Sequence, residues 1–256
     1  MILNPRQRQL LDAVRLSVTI SVEELALQLA VTPQTVRRDV KQMEEANLLT
    51  RYHGGVALAS SVENIDYSHR QLLHNEAKRG IAAAVAQQVP AGCSLMINIG
   101  TTTEEVARAL LHHQGLHVVT NNLNVAAILA DNPQCEVIVA GGVVRGRDRG
   151  IVGEATIDFI RQFKVDIGII GISSIDEDGS LRDFDIREVK VAQTIIEQSR
   201  EVWLVADQGK FGRKALVRMA HLSQIDLLFT DAPPSQRFAQ VLEEAQVKLI
   251  VTAAAD

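Results

Sequence analysis

The sequence predicts an α/β chain of two domains: an amino-terminal winged helix-turn-helix and a carboxyl-terminal Rossmann-like domain on a mainly parallel sheet. Three observations predict it. Residues 1–58 hold three short helical patterns and then a strand–turn–strand; residues 76–256 alternate short apolar runs with helical patterns; the polar, aperiodic stretch 59–75 lies between them as a linker. Such alternation implies parallel strands with helices on both faces.

The amino-terminal elements follow in order. Asn4 and Pro5 form a helix-start signal, a capping side chain before a residue whose fixed φ and missing N–H suit the first turn. Leu10, Leu11, Val14 and Leu16 give this first helix its apolar stripe. In the second helix Ser21 and Glu24 stand at capping-box spacing, with Leu25 and Leu29 on one buried face. Thr32 caps, and Pro33 opens, a third helix running to about Ala46. Val36, Val40 and Met43 share its inward face, while Gln34, Arg37, Arg38 and Lys41 form a separate polar stripe. With Thr35 beside them, these side chains suit a DNA major groove, where arginine reaches guanine O6 and N7 and glutamine pairs with adenine N6 and N7. Adjacent arginines project about 100° apart, so the expectation is that one reads a base and the other grips phosphate, with the assignment open. Asp39 lies off this stripe, where it can hold a basic residue of a neighbouring element. Residues 48–58 (LLTRYHGGVAL) read as a wing, strand, turn at Gly54 and Gly55, strand, which sets Arg51 and His53 near a DNA backbone or minor groove. The competing reading of this unit is a protein-interaction or dimerisation module.

Composition and charge narrow the possibilities. The chain has 256 residues, 46% apolar and 4% aromatic, so its core is built from Ala, Val, Leu and Ile and it is globular. The net charge is −5, yet residues 1–60 hold seven Lys/Arg against six Asp/Glu, leaving 19 basic and 25 acidic groups to the remainder. An acidic body repels DNA, which confines nucleic-acid binding to the amino-terminal unit. No run approaches the roughly 18 apolar residues that span a bilayer. The amino end also lacks the apolar core and cleavage site of a secretory signal. Cys93 and Cys135, in separate apolar runs, read as buried free thiols in a reducing cytoplasm.

In the larger domain the strand candidates are SLMINI, LHVVT, EVIVA, VDIGIIGI, EVWLVA, DLLFT and VKLIV. Most end in glycine or polar clusters, and in an open parallel sheet those carboxyl ends share one rim where ligands bind. INIGTTTEEVARAL runs a strand through Gly100 into Thr101 and Thr102 and then a helix, with Thr102 and Glu105 at capping-box spacing. Backbone N–H groups and hydroxyls at such a start suit a phosphate, and Lys210 adds a cation to the rim. Asn121, Asn122, Asp176 and Asp207 suit hydroxyls, so a phosphorylated polyol or sugar would use both sets. Asp176, in IDEDGS, reads equally as a turn residue. Gly142 borders the rim, and among Arg145, Arg147 and Arg149 the expected ligand is Arg145, the nearest to it. Neither a Walker loop nor a dinucleotide fingerprint follows any strand, and the seven histidines show no metal-ligand spacing, so no cofactor and no metal is predicted. His112 and His113 read as a solvated helix end. An enzyme reading, a sugar-phosphate isomerase with an appended regulatory domain, would use Asp207 and Lys210 as acid–base groups, but the rim offers no convincing pair.

Arg6, Leu10 and Val14, followed by Thr32, Thr35, Val36, Arg37, Arg38, Asp39 and Val40, resemble in spacing and type the amino-terminal signature of the DeoR family of bacterial transcriptional repressors. The larger domain is similar to the same family through Ile99-Gly-Thr-Thr, Val119-Thr-Asn-Asn-Leu-Asn-Val-Ala, Gly153-Glu-Ala-Thr and Lys210-Phe-Gly-Arg. The resemblance runs from residue 7 to about residue 249. It implies an effector domain sharing its fold with ribose-5-phosphate isomerase and coenzyme A transferases. It also implies a cytoplasmic repressor, not an enzyme, that leaves operator DNA on binding a small phosphorylated metabolite; these motifs are most similar to members responding to glycerol 3-phosphate. Winged helices read half-sites in pairs, so a dimer or tetramer is expected. The sign of the effector response is open, since an activator would bind DNA more tightly with its ligand. Gly209 stands where the family often has serine, Arg149 where it has glycine, and the ending TAAAD matches no part of the pattern.

Overall fold

The structure is a computed structural model and describes residues 3–16, 20–46, 48–52, 55–58 and 67–252. The chain divides into two compact units, Met1–Arg70 and Gln71–Asp256.

The first unit packs three helices and a hairpin. α1 (Pro5–Leu16) starts on a reciprocal cap: the Gln7 N–H donates to Asn4 Oδ1 at 2.9 Å, and the Asn4 N–H to Gln7 Oε1 at 3.1 Å. α2 (Val22–Gln28) carries the predicted capping box, with the Glu24 N–H on Ser21 Oγ at 3.0 Å and the Ser21 N–H on Glu24 Oε2 at 2.9 Å. These bonds, backbone first, also hold the Glu24 carboxyl below its ordinary pKa. Ala30, at φ +51°, turns the chain into α3 (Pro33–Glu45), which Thr32 caps by accepting from the Thr35 N–H. Helices of 7 to 13 residues are marginal alone, so tertiary burial holds them. Leu10, Val14, Leu25, Val36, Val40 and Met43 form that core with Leu49 and Val56 of the wing, each side chain contributing about 1.5–3 kcal/mol on burial. The wing strands β1 (Leu49–Tyr52) and β2 (Gly55–Leu58) pair antiparallel, Tyr52 opposite Gly55, so Gly55 belongs to a strand and not to the turn.

In the second unit, whose boundary falls inside the short helix α4 (Tyr67–Leu72), the elements alternate. They are α5 (Asn75–Gln88), β3 (Ser94–Ile97), α6 (Thr101–Ala109), β4 (Leu116–Thr120), α7 (Leu123–Leu129) and β5 (Cys135–Val139). After these come the hairpin β6 (Val143–Val144) and β7 (Ile151–Val152), then α8 (Glu154–Ile160), β8 (Val165–Gly171), β9 (Ser174–Ile175), β10 (Ser180–Asp183) and α9 (Ile186–Glu197). The chain ends through β11 (Ser199–Val205), β12 (Val217–His221), β13 (Leu227–Thr230), α10 (Gln236–Glu244) and β14 (Lys248–Val251).

All seven strands read from the sequence form one sheet in the order β14-β13-β11-β8-β3-β4-β5, and every pairing is parallel. Successive side chains face opposite ways. Leu95 and Ile97 meet Ile81 and Val85 of α5, Val106 of α6 and Leu110 just past the end of α6. Met96 faces the other core, with Ile157, Ile195 and Leu242 of α8, α9 and α10. Two features escaped periodicity: the hairpin β6–β7 and a small antiparallel sheet β12-β10-β9. Their strands, two to five residues long, hold too few alternations to register.

The topology places a crevice. From β3 the chain builds outward to β4 and β5, then returns to lay β8 and β11 on the other side of β3. The carboxyl ends of β3 and β8 therefore flank the point where strand order reverses, the usual ligand position in such sheets.

Candidate functional site

The third helix is seated by an ion pair. Asp39 is buried, and both its oxygens accept from the Arg6 guanidinium of α1, Nε–Oδ2 at 2.5 Å and Nη2–Oδ1 at 3.1 Å. Gln7 adds a bond to Gln42 at 2.9 Å. Asp39 thus docks α3 on α1, the partnership its position off the polar stripe suggested, and the hydrogen bond from Arg6 leads in raising the arginine's pKa. With Val36, Val40 and Met43 inward, Gln34, Arg37, Arg38 and Lys41 are exposed; Thr35 is half-buried and shares a hydroxyl–hydroxyl bond with Thr32 at 2.9 Å. Arg37 pairs with Glu23 of α2 at 3.0 Å. Arg51 is tied to α3: its guanidinium lies 2.6 Å from Glu44 Oε2, and its N–H donates to Glu44 Oε1 at 3.2 Å. This joins the wing to the third helix. His53 lies outside the described residues.

In the larger unit, strand ends gather most of the expected rim residues. At the end of β3, Gly100 is the N-cap of α6 and offers no side chain, so the helix starts two residues earlier than a Thr102–Glu105 capping box would place it. Thr102 is buried in the first turn and does not cap it. Thr103 instead turns its hydroxyl back onto the Asn98 and Gly100 carbonyls, at 2.9 and 2.8 Å. The first N–H groups of α6, on Thr101 and Thr102, open this nine-residue helix beside Gly171 at the end of β8. Asn98 locks the two strand ends together: its side-chain amide donates to the Gly171 carbonyl at 3.1 Å and accepts from the Gly171 N–H at 2.8 Å.

Past β4, Asn121 and Asn122 are fully buried. Asn122 Oδ1 caps α7, and Asn121 Nδ2 donates to the Ile151 carbonyl at 2.9 Å. Asn121 Oδ1 and Asn122 Nδ2, one acceptor and one donor on successive residues, have no hydrogen-bond partner, an uncommon condition for buried polar atoms. Residues 145–151 strap across them: the Leu123 N–H donates to the Arg149 carbonyl at 3.1 Å, and the Ile151 N–H to the Asn121 carbonyl at 2.7 Å. A Cβ on Gly150 would run into the Ile99 side chain, which would have to shift to admit it. After β11, Asp207 is buried and caps the turn at residues 208–210 by accepting from the Gly209 N–H at 2.9 Å, which holds half-buried Lys210 in place.

Three expected rim residues are otherwise employed. Arg145 is buried among Asp148 (2.6 Å), Glu188 (2.7 Å) and Asp185 (3.0 Å), with Arg147 and Arg187 completing a cluster of three guanidinium groups and three carboxylates. Burial works against its charge, but Glu188 and Asp148 outweigh that and raise its pKa. The formal charges of the cluster balance, and through it Arg145 anchors the strap to the start of α9. Asp176 closes the β9–β10 turn and pairs with Arg182 at 3.1 Å, its turn role. Gly142, at φ +149°, lies against Thr156 so tightly that no side chain fits.

Three residues at the rim were not among the expected ligands: Asn98, His74 and Arg149, the last of them weighed and passed over for Arg145. Asn98 gave no signal beyond its place at a strand end. His74 sits beside the Lys210 turn, its Nε2 about 3.3 Å from where a Cβ on Gly209 would lie. Arg149, exposed, holds the left-handed conformation at φ +56° and extends its guanidinium to Asn124 Oδ1 at 3.5 Å. Its departure from glycine was the available signal. Of the remaining expectations, His113 is half-buried and hydrogen-bonds the Val89 carbonyl at 2.8 Å, so it is not merely solvated. Cys93 is buried, chiefly the reason its thiol pKa is pushed up to about 11, whereas Cys135 is only half-buried on β5. No group of His, Cys, Asp and Glu among the described residues could hold a metal, and no helix among them is long and apolar enough to cross a membrane.

Residues 6–62 match the DeoR-like helix-turn-helix domain, and residues 73–232 the DeoR C terminal sensor domain. The chain belongs to the DeoR family. It is 49% identical over 244 residues to the glycerol-3-phosphate regulon repressor of Escherichia coli K12, covering 95% of this chain and 97% of that one. The repressor of the same name from Haemophilus influenzae is 48% identical over 96% of both chains. A third relative, the HTH-type transcriptional repressor CsqR of Escherichia coli K12, is 40% identical over 97% of this chain and 95% of its own. Among solved structures, ribose 5-phosphate isomerase A of Methanocaldococcus jannaschii aligns over 54% of this chain and 55% of its own, at 12% identity and a TM-score of 0.41, a likeness too slight to bear on function. DeoR membership and the named repressors mark the chain as a transcriptional regulator.

Proposed function

We propose that this DeoR-family chain is a cytoplasmic transcriptional repressor, without enzymatic activity, that binds operator DNA as a homo-oligomer and is released by a small phosphorylated metabolite, glycerol 3-phosphate first among them. Gln34, Thr35, Arg37, Arg38 and Lys41 meet the DNA, with Arg51 and His53 on the wing. Gly100, Thr101, Thr102, Asn121, Asn122, Asp207 and Lys210 form the effector site. The observation that carries the reading is the shared carboxyl-end rim around the strand-order reversal, where an uncapped helix start follows β3, two unpartnered amide atoms follow β4, and a positioned lysine follows β11, one strand beyond β8. The helix start and Lys210 supply the anion-binding half. A hydroxyl donates and accepts, so polyol hydroxyls can satisfy both the Asn121 Oδ1 acceptor and the Asn122 Nδ2 donor. Both atoms are shielded from water beneath residues 145–151, so a ligand that engages them parts this strap from the sheet end. The two relatives named for the glycerol-3-phosphate regulon support the choice of effector.

Effector binding then favours an arrangement that fits the operator poorly, and a typical coupling of roughly 1–3 kcal/mol lowers DNA affinity about 5–150-fold. The test uses the full-length protein on duplexes enriched from a random library, with glycerol 3-phosphate titrated in. Affinity is expected to fall within that range, and Lys210→Ala is expected to bind the duplex normally while losing the response. Rising affinity would make the protein an activator, and an unchanged response in Lys210→Ala would remove that lysine from the site. Turnover of a phosphosugar by the purified protein would overturn the non-enzymatic reading.

One observation favours a second reading, the same repressor answering to a different sugar phosphate: a relative 40% identical over almost the whole chain carries another name. A thermal-shift panel of phosphorylated three- to six-carbon metabolites decides between them, since the true effector gives the largest rise in Tm.

A further inference from the structure

The two adjacent arginines of α3 occupy unlike positions. At about 100° per residue, with Val36 set at zero, the buried Val40, Met43 and Asp39 fall at about +40°, −20° and −60°, so the core lies near −10°. The direction pointing straight away from it is near 170°. Gln34, at about 160°, Arg38, at about 200°, and Lys41, at about 140°, cluster around that direction, whereas Arg37, at about 100°, lies on the flank that faces α2. The contacts agree with the angles. The Arg37 guanidinium is drawn to Glu23, in the first turn of α2, at 3.0 Å, with both side chains more than half exposed. Arg38 makes no hydrogen bond or ion pair with another described residue.

From this we infer that Arg38 is the base-reading arginine, engaging a guanine edge with Gln34 and Lys41 beside it, and that Arg37 is a phosphate contact held at the groove wall by Glu23. A helix lying in the major groove presents its outermost side chains to the base edges, and its flanks face the sugar–phosphate ridges. An arginine committed sideways to a carboxylate cannot also extend along the outward axis, and exchanging Glu23 for a phosphate oxygen needs only a small swing. Glu23 also sets a negative charge against the nearby strand, which weakens binding to every sequence alike. The inference rests on the DNA-binding reading of the first unit.

The experiment compares the full-length protein with Arg38→Ala, Arg37→Ala and Glu23→Gln by selection from a random duplex library and by affinity against salt concentration; all three side chains are exposed, and thermal melts confirm folding. Arg38→Ala is expected to lose a G·C preference at one position per half-site, a drop of about 5- to 150-fold against the competing base. Arg37→Ala is expected to weaken all duplexes alike, keep the preference, and reduce the slope of log affinity against log salt by roughly 0.9 per half-site. Glu23→Gln is expected to strengthen binding to all sequences without moving the preference. The division is overturned if Arg37→Ala shifts the preferred base, if Arg38→Ala weakens all sequences uniformly, or if Glu23→Gln alters the preference. Should the unsubstituted protein enrich no sequence at all, the DNA-binding reading itself fails, an outcome distinct from any of these.

Discussion

Each unit of the molecule holds a buried arginine–carboxylate contact, and the two are built in opposite senses. In the helix-turn-helix the carboxylate is buried: Asp39 is 4% exposed, while Arg6 keeps 40% of its side chain in water. In the sensor unit the arginine is buried: Arg145 is 6% exposed, and three carboxylates close around it from the strap and from α9. The first arrangement docks one helix on another and leaves the polar stripe of α3 exposed. The second fixes the loop that covers Asn121 and Asn122, and it consumes the charge of an arginine that otherwise suits a phosphate. A basic residue near a ligand rim is therefore no ligand until its partners are counted.

The comparison breaks most visibly at Arg145. Arg145→Met leaves three carboxylates facing one another without their central cation, and is expected to destabilise the sensor unit by ~3–5 kcal/mol in a denaturant melt. Loss of under about 1 kcal/mol would show that the cluster does not organise the strap. Acid sharpens the same point. Hydrogen bonding from Arg187, then from Arg145, holds the Asp185 carboxyl well below the ordinary carboxylate range. A carboxylate with a depressed folded pKa contributes stability that is complete above its unfolded value of about 3.9 and drains away as pH falls toward the folded one. The unsubstituted sensor is thus expected to lose stability on acidification below about pH 4, and Arg145→Met to lose less over that interval.

At the other cluster the expected effect is smaller. Asp39→Asn removes the charge from the α1–α3 contact but keeps its shape, and is expected to lower Tm of the first unit by roughly 5 °C. Operator affinity should fall with it, since α3 loses its fixed seat. Preserved affinity at the lower Tm would mean the ion pair serves stability alone. The smallest effect is expected at Arg149, where glycine removes a left-handed strain of about 1 kcal/mol at some expense in unfolded-chain entropy. Arg149→Gly is expected to be unchanged or up to about 1 kcal/mol more stable in a denaturant melt, with the affinity for the proposed effector unchanged by calorimetry, since the guanidinium reaches Asn124 and is not among the proposed ligands. A change in effector affinity of more than about fivefold would place Arg149 at the site after all.

Local rules made the first unit legible. Caps at Ser21 and Thr32 and the inward stripe of Val36, Val40 and Met43 depend on spacings of three and four residues, which a linear sequence displays directly. Even the pairing of Asp39 was suggested by its angle on the helix, although its partner Arg6 lies 33 residues away. The seven parallel strands were legible for a similar reason, because strands buried on both faces are apolar throughout. The rim was legible in outline only. Strand ends could be located, but not which polar atoms there would already be satisfied.

By itself, then, the sequence determined the division of labour: a basic reading helix carried by an acidic body, and a parallel sheet whose strand ends face a common crevice. Tertiary structure alone decided which charges remain available. Arg145 meets Asp185 and Glu188 across some forty residues of chain, Arg37 meets Glu23 across the helix-turn-helix corner, and Asn98 meets Gly171 across two adjacent strands. The physical reason is range. Caps and amphipathic stripes depend on neighbours within one helical turn, whereas the neutralisation of a charge or the satisfaction of a buried amide depends on whatever the fold brings within about 3 Å.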